Sequence, residues 1–172
     1  MNTNTYLSAS DPDIRKPEEP ERLIPPSYRI DPAWYEQQGR SLSLLLTQRM
    51  CKDSLAKLGE RREVRVPVEE PSTQRVRFKR KTSTFGDDPL AIIQECCSKT
   101  DDYRDPRLPI KELLCRLLLA GGNRPQTVEE LYEGLKAWVG IGDTRVIFPE
   151  VIQRLMERDD YYGFAQVPEE GS

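Results

Sequence analysis

The sequence predicts a mainly α fold: a C-terminal trihelical unit with a short β-hairpin or strand beside it, preceded by an N-terminal helical segment. Three observations carry this. Apolar residues recur at steps of three and four in three successive capped runs between Pro109 and Asp159, a further helical run opens at Asp31-Pro32, and alternation appears before Lys81, with a short strand or wing suggested at Tyr162, Phe164 and Val167.

Residues 1–30 contain Pro12, Pro17, Pro20, Pro25 and Pro26 among charged side chains with few aliphatics, and are expected to form a disordered tail. Asp31 then offers an N-cap and Pro32 a first-turn proline. The chain continues through Trp34 and Tyr35 to Gly39-Arg40-Ser41 and to Leu42, Leu44, Leu45 and Leu46, then toward Leu55 and Leu58. Residues 31–59 therefore read as a helical segment broken near Gly39, with Ser41 as a second N-cap. From Gly59 the period changes. Val64, Val66 and Val68 alternate, Glu69-Glu70-Pro71-Ser72 suits a turn, and Val76 and Phe78 occupy a second run, so residues 60–86 are expected to form a β-hairpin or a linker arm. Pro67 then needs an outward edge, because it has no N–H to donate. The face opposite Val76 and Phe78 presents Arg75, Arg77, Lys79 and Lys81, joined by Arg65, as a basic ribbon that also contains Arg80.

Residues 87–168 read as the principal domain, and 169–172 as a tail. Asp87-Asp88-Pro89 begins a short helix with Leu90, Ile93 and Cys97 on one face. Pro109 opens the next, striped by Ile110, Leu113, Leu114, Leu117 and Leu118 and stopped by Gly121-Gly122. Thr127 and Glu130 form a capping box ahead of Val128, Leu131, Leu135 and Trp138. Phe148-Pro149 opens a third helix with Val151, Ile152, Leu155 and Met156, and Tyr162, Phe164 and Val167 follow as a short strand or wing. Leu114, Leu117, Leu131, Trp138, Ile152 and Leu155 are expected to be buried together.

This order of three helices and a strand resembles the winged-helix (helix-turn-helix) superfamily over roughly the last third of the chain. The resemblance implies a docking module whose third helix reads DNA, which would put Gln153, Arg154 and Arg158 near base edges. Glu150 and Glu157 share that face and cancel its charge. The order of Asp-Pro-Ala-Trp-Tyr, Gly-Arg-Ser-Leu, Cys-Cys-Ser-Lys and Asp-Asp-Tyr-Tyr-Gly is also similar to that of short uncharacterised bacterial proteins, which transfers no functional residue.

Composition narrows the function further. The chain has 37% hydrophobic and 32% charged residues and no histidine, which removes the commonest general base and metal ligand. No P-loop or dinucleotide fingerprint is present, so no enzyme and no cofactor is expected. Four cysteines without a disulfide-scaffold spacing, the lack of a secretory leader and the lack of a long apolar run lead to the expectation of a cytoplasmic protein without a membrane partner. Cys51-Lys52-Asp53-Ser54 looks like half of a CxxC knuckle with Ser in the second place, and Cys96-Cys97 supply two more thiols if the regions meet. A fourth ligand would have to be Cys115 or a carboxylate, so no metal is assigned and the thiols are read as buried and inert.

Residues 57–81 carry nine Lys/Arg against four Asp/Glu, and residues 101–172 carry nine against fourteen. The preferred expectation is a non-enzymatic, nucleic-acid-associated winged-helix protein, DNA-binding or transcription-related. Arg65, Arg75, Arg77, Lys79, Arg80 and Lys81 would hold phosphates, and Gln153, Arg154 and Arg158 would approach bases. The alternative is an adaptor that docks a partner protein or a second copy through the winged-helix surface and the 42–58 helix, and the net charge of −3 favours it.

Overall fold

The middle strand of the main sheet comes from a segment that composition assigns to a tail. The computed structural model describes residues 25–69, 76–140 and 148–168. In it, β1 (Ser27–Ile30) lies between β4 (Gln126–Thr127) and β5 (Phe164–Val167), antiparallel to both. Tyr28 and Ile30 are two residues apart, share one face and are both buried. Asn123 clamps the end of the strand: its Oδ1 accepts from the Ile30 N–H and its Nδ2 donates to the Ile30 carbonyl, each at 2.8 Å. The folded part therefore begins before Asp31, and the rest of the expected tail, 1–24, lies outside the described residues, as does 169–172.

The expectation of a mainly α fold is corrected in the same way. Among the described residues, helix accounts for 49% and strand for 20%, with antiparallel sheets of three and two strands, so the class is mixed α/β. The wing read at Tyr162–Val167 does not close a hairpin of its own, because β5 pairs with β1. Strands of four and two residues are too short to show alternation, and their pairing is set by residues far away in the chain.

Local signals hold where capping governs. Asp31 Oδ1 accepts from Ala33 N–H at the start of α1 (Pro32–Gln37), and Ser41 Oγ accepts from Leu44 N–H at the start of α2 (Leu42–Thr47). The expected 42–58 helix is two helices, since Cys51 starts α3 (Lys52–Ala56). The ribbon strands β2 (Arg61–Glu69) and β3 (Val76–Thr84) follow. Asp88 caps α4 (Pro89–Glu95), and two 3-10 turns, Cys97–Lys99 and Asp101–Arg104, lead to α5 (Ile110–Ala120). The capping box at Thr127 opens α6 (Val128–Val139), and α7 (Pro149–Glu157) precedes β5. Among the described residues, no helix is long and apolar enough to cross a membrane.

One core unites the segments that the sequence separates. Tyr35, Leu45, Leu46 and Met50 join Leu114, Leu118, Leu131, Leu135, Ile152 and Met156 in a single buried cluster. Leu117, Trp138 and Leu155 are only partly buried, against expectation. Leu117 sits over Gly134, where an added Cβ would come within 2.7 Å of Leu117 Cδ2, so α5 and α6 approach closely because that residue is glycine.

The turn from α7 into β5 is held by one buried carboxylate. Asp159 Oδ2 accepts from the N–H groups of Tyr162 and Gly163 at 2.8 and 2.7 Å, and Lys111 Nζ lies 3.6 Å from Oδ1. Asp159→Ala is expected to lower stability by about 2–3 kcal/mol, because the amides lose a charged acceptor and Lys111 loses its counter-ion. Urea melts check this, and an unchanged midpoint would show that water replaces the carboxylate.

Candidate functional site

The β2–β3 ribbon carries most of the cations singled out in the sequence. Its register sets Val64 opposite Lys81, Arg65 opposite Arg80, Val66 opposite Lys79, Pro67 opposite Phe78 and Val68 opposite Arg77. Opposed residues in an antiparallel pair project from the same face. One face therefore holds Arg62, Arg77, Lys79 and Lys81 with Val64, Val66 and Val68, and carries no acid among these pairs. The other holds Arg61, Glu63, Arg65 and Arg80 with Pro67 and Phe78.

This corrects the expected grouping. Arg65 does not join Arg77, Lys79 and Lys81, and the three valines lie among the cations instead of behind them. Alternation within each run was legible, but the offset between runs decides which faces coincide, and a shift of one residue exchanges them. Arg75 lies outside the described residues.

The two strands together contain seven Lys/Arg and two Glu. Arg65, Lys79, Arg80 and Lys81 are exposed, as is Phe78 at 67%. Arg80 Nη1 is 3.8 Å from Glu63 Oε2 with both side chains largely in solvent, so this pair constrains little. At nine residues a strand, the ribbon extends about 30 Å. Its base is fixed by bonds from Gly59 N–H to the Phe85 carbonyl at 2.9 Å and from Phe85 N–H to the Glu60 carbonyl at 2.7 Å, and by the Arg62 guanidinium 5.1 Å from the Phe85 ring centre.

The third helix offers less. Gln153 Nε2 donates to Glu157 Oε1 at 2.8 Å, which engages the amide that would read a base. Arg154 is exposed in the last turn of α7, where the helix dipole favours a cation. Arg158 closes the helix and its carbonyl accepts from Lys111 Nζ. Glu150 and Glu157 are exposed on the same helix.

The structure also settles where the thiols lie. Cys51, Cys96 and Cys97 converge, with their sulfurs within 4.8 Å of one another, whereas Cys115 is buried in α5 beside Arg49. The Ser54 hydroxyl lies 3.1 Å from Cys51 Sγ, 3.7 Å from Cys96 Sγ and 3.5 Å from Cys97 Sγ. Cys51 N–H donates to Cys97 Sγ at 3.1 Å. Burial opposes ionisation of Cys51, but hydrogen bonds with Ser54, Cys97 and Cys96 together outweigh it and lower this thiol below its ordinary value. Burial pushes Cys97 up, and pushes Cys115 up to about 12.

A second surface escaped the sequence reading. Arg40 stacks between Trp34 and Tyr161, 5.4 and 5.2 Å from their ring centres, and borders a cleft with Leu44 and Gln48. Leu44 is 58% exposed there. Trp34 and Arg40 are close in sequence, but Tyr161 reaches them only through the β1–β5 pairing. Comparison with models of protein families, with curated proteins and with solved structures finds no match.

Proposed function

We propose that this protein is a non-enzymatic duplex-DNA-binding protein that uses the β2–β3 ribbon as its contact arm. The observation that carries the reading is a long exposed ribbon with seven cations against two acids. A major groove about 12 Å wide admits a two-stranded ribbon, and Lys/Arg along it neutralise phosphates. The face bearing Arg62, Lys79 and Lys81 is the phosphate-facing one, because the register gathers these cations there while Glu63 falls on the other face. Phe78, on the other face, gives an exposed apolar group of the kind that meets thymine methyls in the major groove. The winged-helix resemblance rests on α5, α6 and α7, but the acid-balanced surface of α7 argues against strong phosphate attraction there, so the reading assigns it no base contact.

Fluorescence anisotropy with labelled duplex and single-stranded oligonucleotides over a salt series tests this. Lys79→Gln/Lys81→Gln is expected to flatten the log–log salt slope by about 2 units, since each lost phosphate contact removes about 0.9 on duplex DNA. Arg65→Gln/Arg80→Gln is expected to change it less. An unchanged slope in the first variant overturns the assignment of the face. Absence of binding by the parent protein at low salt overturns the reading altogether and favours the adaptor, for which the exposed Leu44 beside the Trp34–Arg40–Tyr161 stack is the supporting observation.

A further inference from the structure

We infer that Cys51, Cys96, Cys97 and Ser54 form a binding site for a thiophilic divalent ion, with zinc as the fitting metal. The inference stands independently of nucleic-acid binding. A tetrahedral ion about 2.3 Å from sulfur and about 2.0 Å from oxygen requires S–S edges of about 3.8 Å and S–O edges of about 3.5 Å. The S–O edges here are 3.1, 3.7 and 3.5 Å, and the three sulfurs lie within 4.8 Å of one another. The three S–O edges thus bracket the tetrahedral value, and the S–S edges fall inside a sphere of contact that one ion can bridge. Three sulfurs exclude Mg2+ and Ca2+, which take oxygen, and select zinc or a similar soft ion.

The surroundings suit a metal. Cys51 N–H already donates to Cys97 Sγ, the kind of amide bond that stabilises a metal-bound thiolate. Cys97 and Ser54 are buried while Cys96 is exposed, so an ion has a way in and then loses most of its water. On binding, each cysteine S–H releases its proton to solvent and the sulfur lone pair forms the bond to the ion, while the Ser54 hydroxyl fills the fourth position as a neutral oxygen. Cys51 immediately precedes α3, and Cys96-Cys97 join α4 to the first 3-10 turn. The ribbon leaves and returns between these two points, so the ion clips together the chain on either side of it.

The test is titration of the reduced full-length protein with Co2+, followed by displacement with Zn2+, with far-ultraviolet circular dichroism to confirm that each variant is folded. The expected result is one ion per chain, with thiolate-to-cobalt charge-transfer bands and intense tetrahedral d–d bands. Cys96→Ser, at an exposed position, is expected to weaken zinc binding by more than about a hundredfold, and Cys115→Ala to leave it unchanged. Ser54→Cys completes a four-sulfur set and is expected to tighten binding by at least about tenfold. A weak octahedral cobalt spectrum, or a tetrahedral one indifferent to Cys96→Ser, overturns the site. Unchanged affinity in a folded Ser54→Cys protein overturns the four-cornered arrangement.

Discussion

Deleting residues 1–30 is expected to abolish cooperative unfolding, because it removes the middle strand of a three-stranded sheet. β4 and β5 pair with β1 and not with each other, so neither keeps a strand partner without it. Tyr28 and Ile30 are 1% and 0% exposed, and burying such a pair contributes several kcal/mol of a total stability of about 5–15 kcal/mol. The clamp from Asn123 to Ile30 is lost as well. A milder probe isolates the packing: Ile30→Ala keeps the strand and is expected to cost about 2–4 kcal/mol in denaturant melts. A truncated chain with the parent's transition midpoint would show that the sheet is dispensable.

That strand also marks the limit of what the sequence makes legible. Caps were readable because their chemistry is local: Asp31, Ser41 and Thr127 each bond to an amide two or three residues on, so the pattern lies within one short window. β1 has no such window. Its four residues follow two prolines, and what makes them a strand is Val167, Gln166, Ala165 and Phe164 at the other end of the chain. The ribbon was half legible for a related reason, its alternation being local and its register not. The cysteine cluster lay beyond reach, because Cys51 and Cys97 meet only after α3 docks beside the end of α4. The Cys-x-x-Ser spacing was nevertheless visible, and so was the vicinal pair.

Glu112→Leu is expected to cost about 3–5 kcal/mol, because it strands a charge that folding has already taken out of water. Arg49 Nη2 lies 2.6 Å from Glu112 Oε2, with the two side chains 8% and 12% exposed. Arg116 Nε holds the other carboxylate oxygen at 2.7 Å, so one acid serves two cations and its loss leaves both uncompensated. Arg49→Met is expected to cost less, about 1–3 kcal/mol, since Glu112 keeps Arg116 and what is lost is the hydrogen bond to the Leu45 carbonyl and the contact with the Tyr162 ring. Arg49 Nε is buried without a hydrogen-bond partner among the described residues, so one donor of this guanidinium is unsatisfied although the charge as a whole is held by its neighbours. The double variant Arg49→Met/Glu112→Leu is therefore expected to recover only part of the loss, since it removes the stranded Arg49 charge but leaves Arg116 without its acid. A double-mutant cycle in urea measures this, and a Glu112→Leu protein as stable as the parent would mean that the pair is solvated. Arg49 stands two residues before Cys51, so the same pair that docks α2 on α5 also sets the position of the first thiol. A double variant that is more stable than Glu112→Leu alone but binds zinc more weakly would separate the two roles of the ion pair, as a source of fold stability and as the register that brings Cys51 to Cys97.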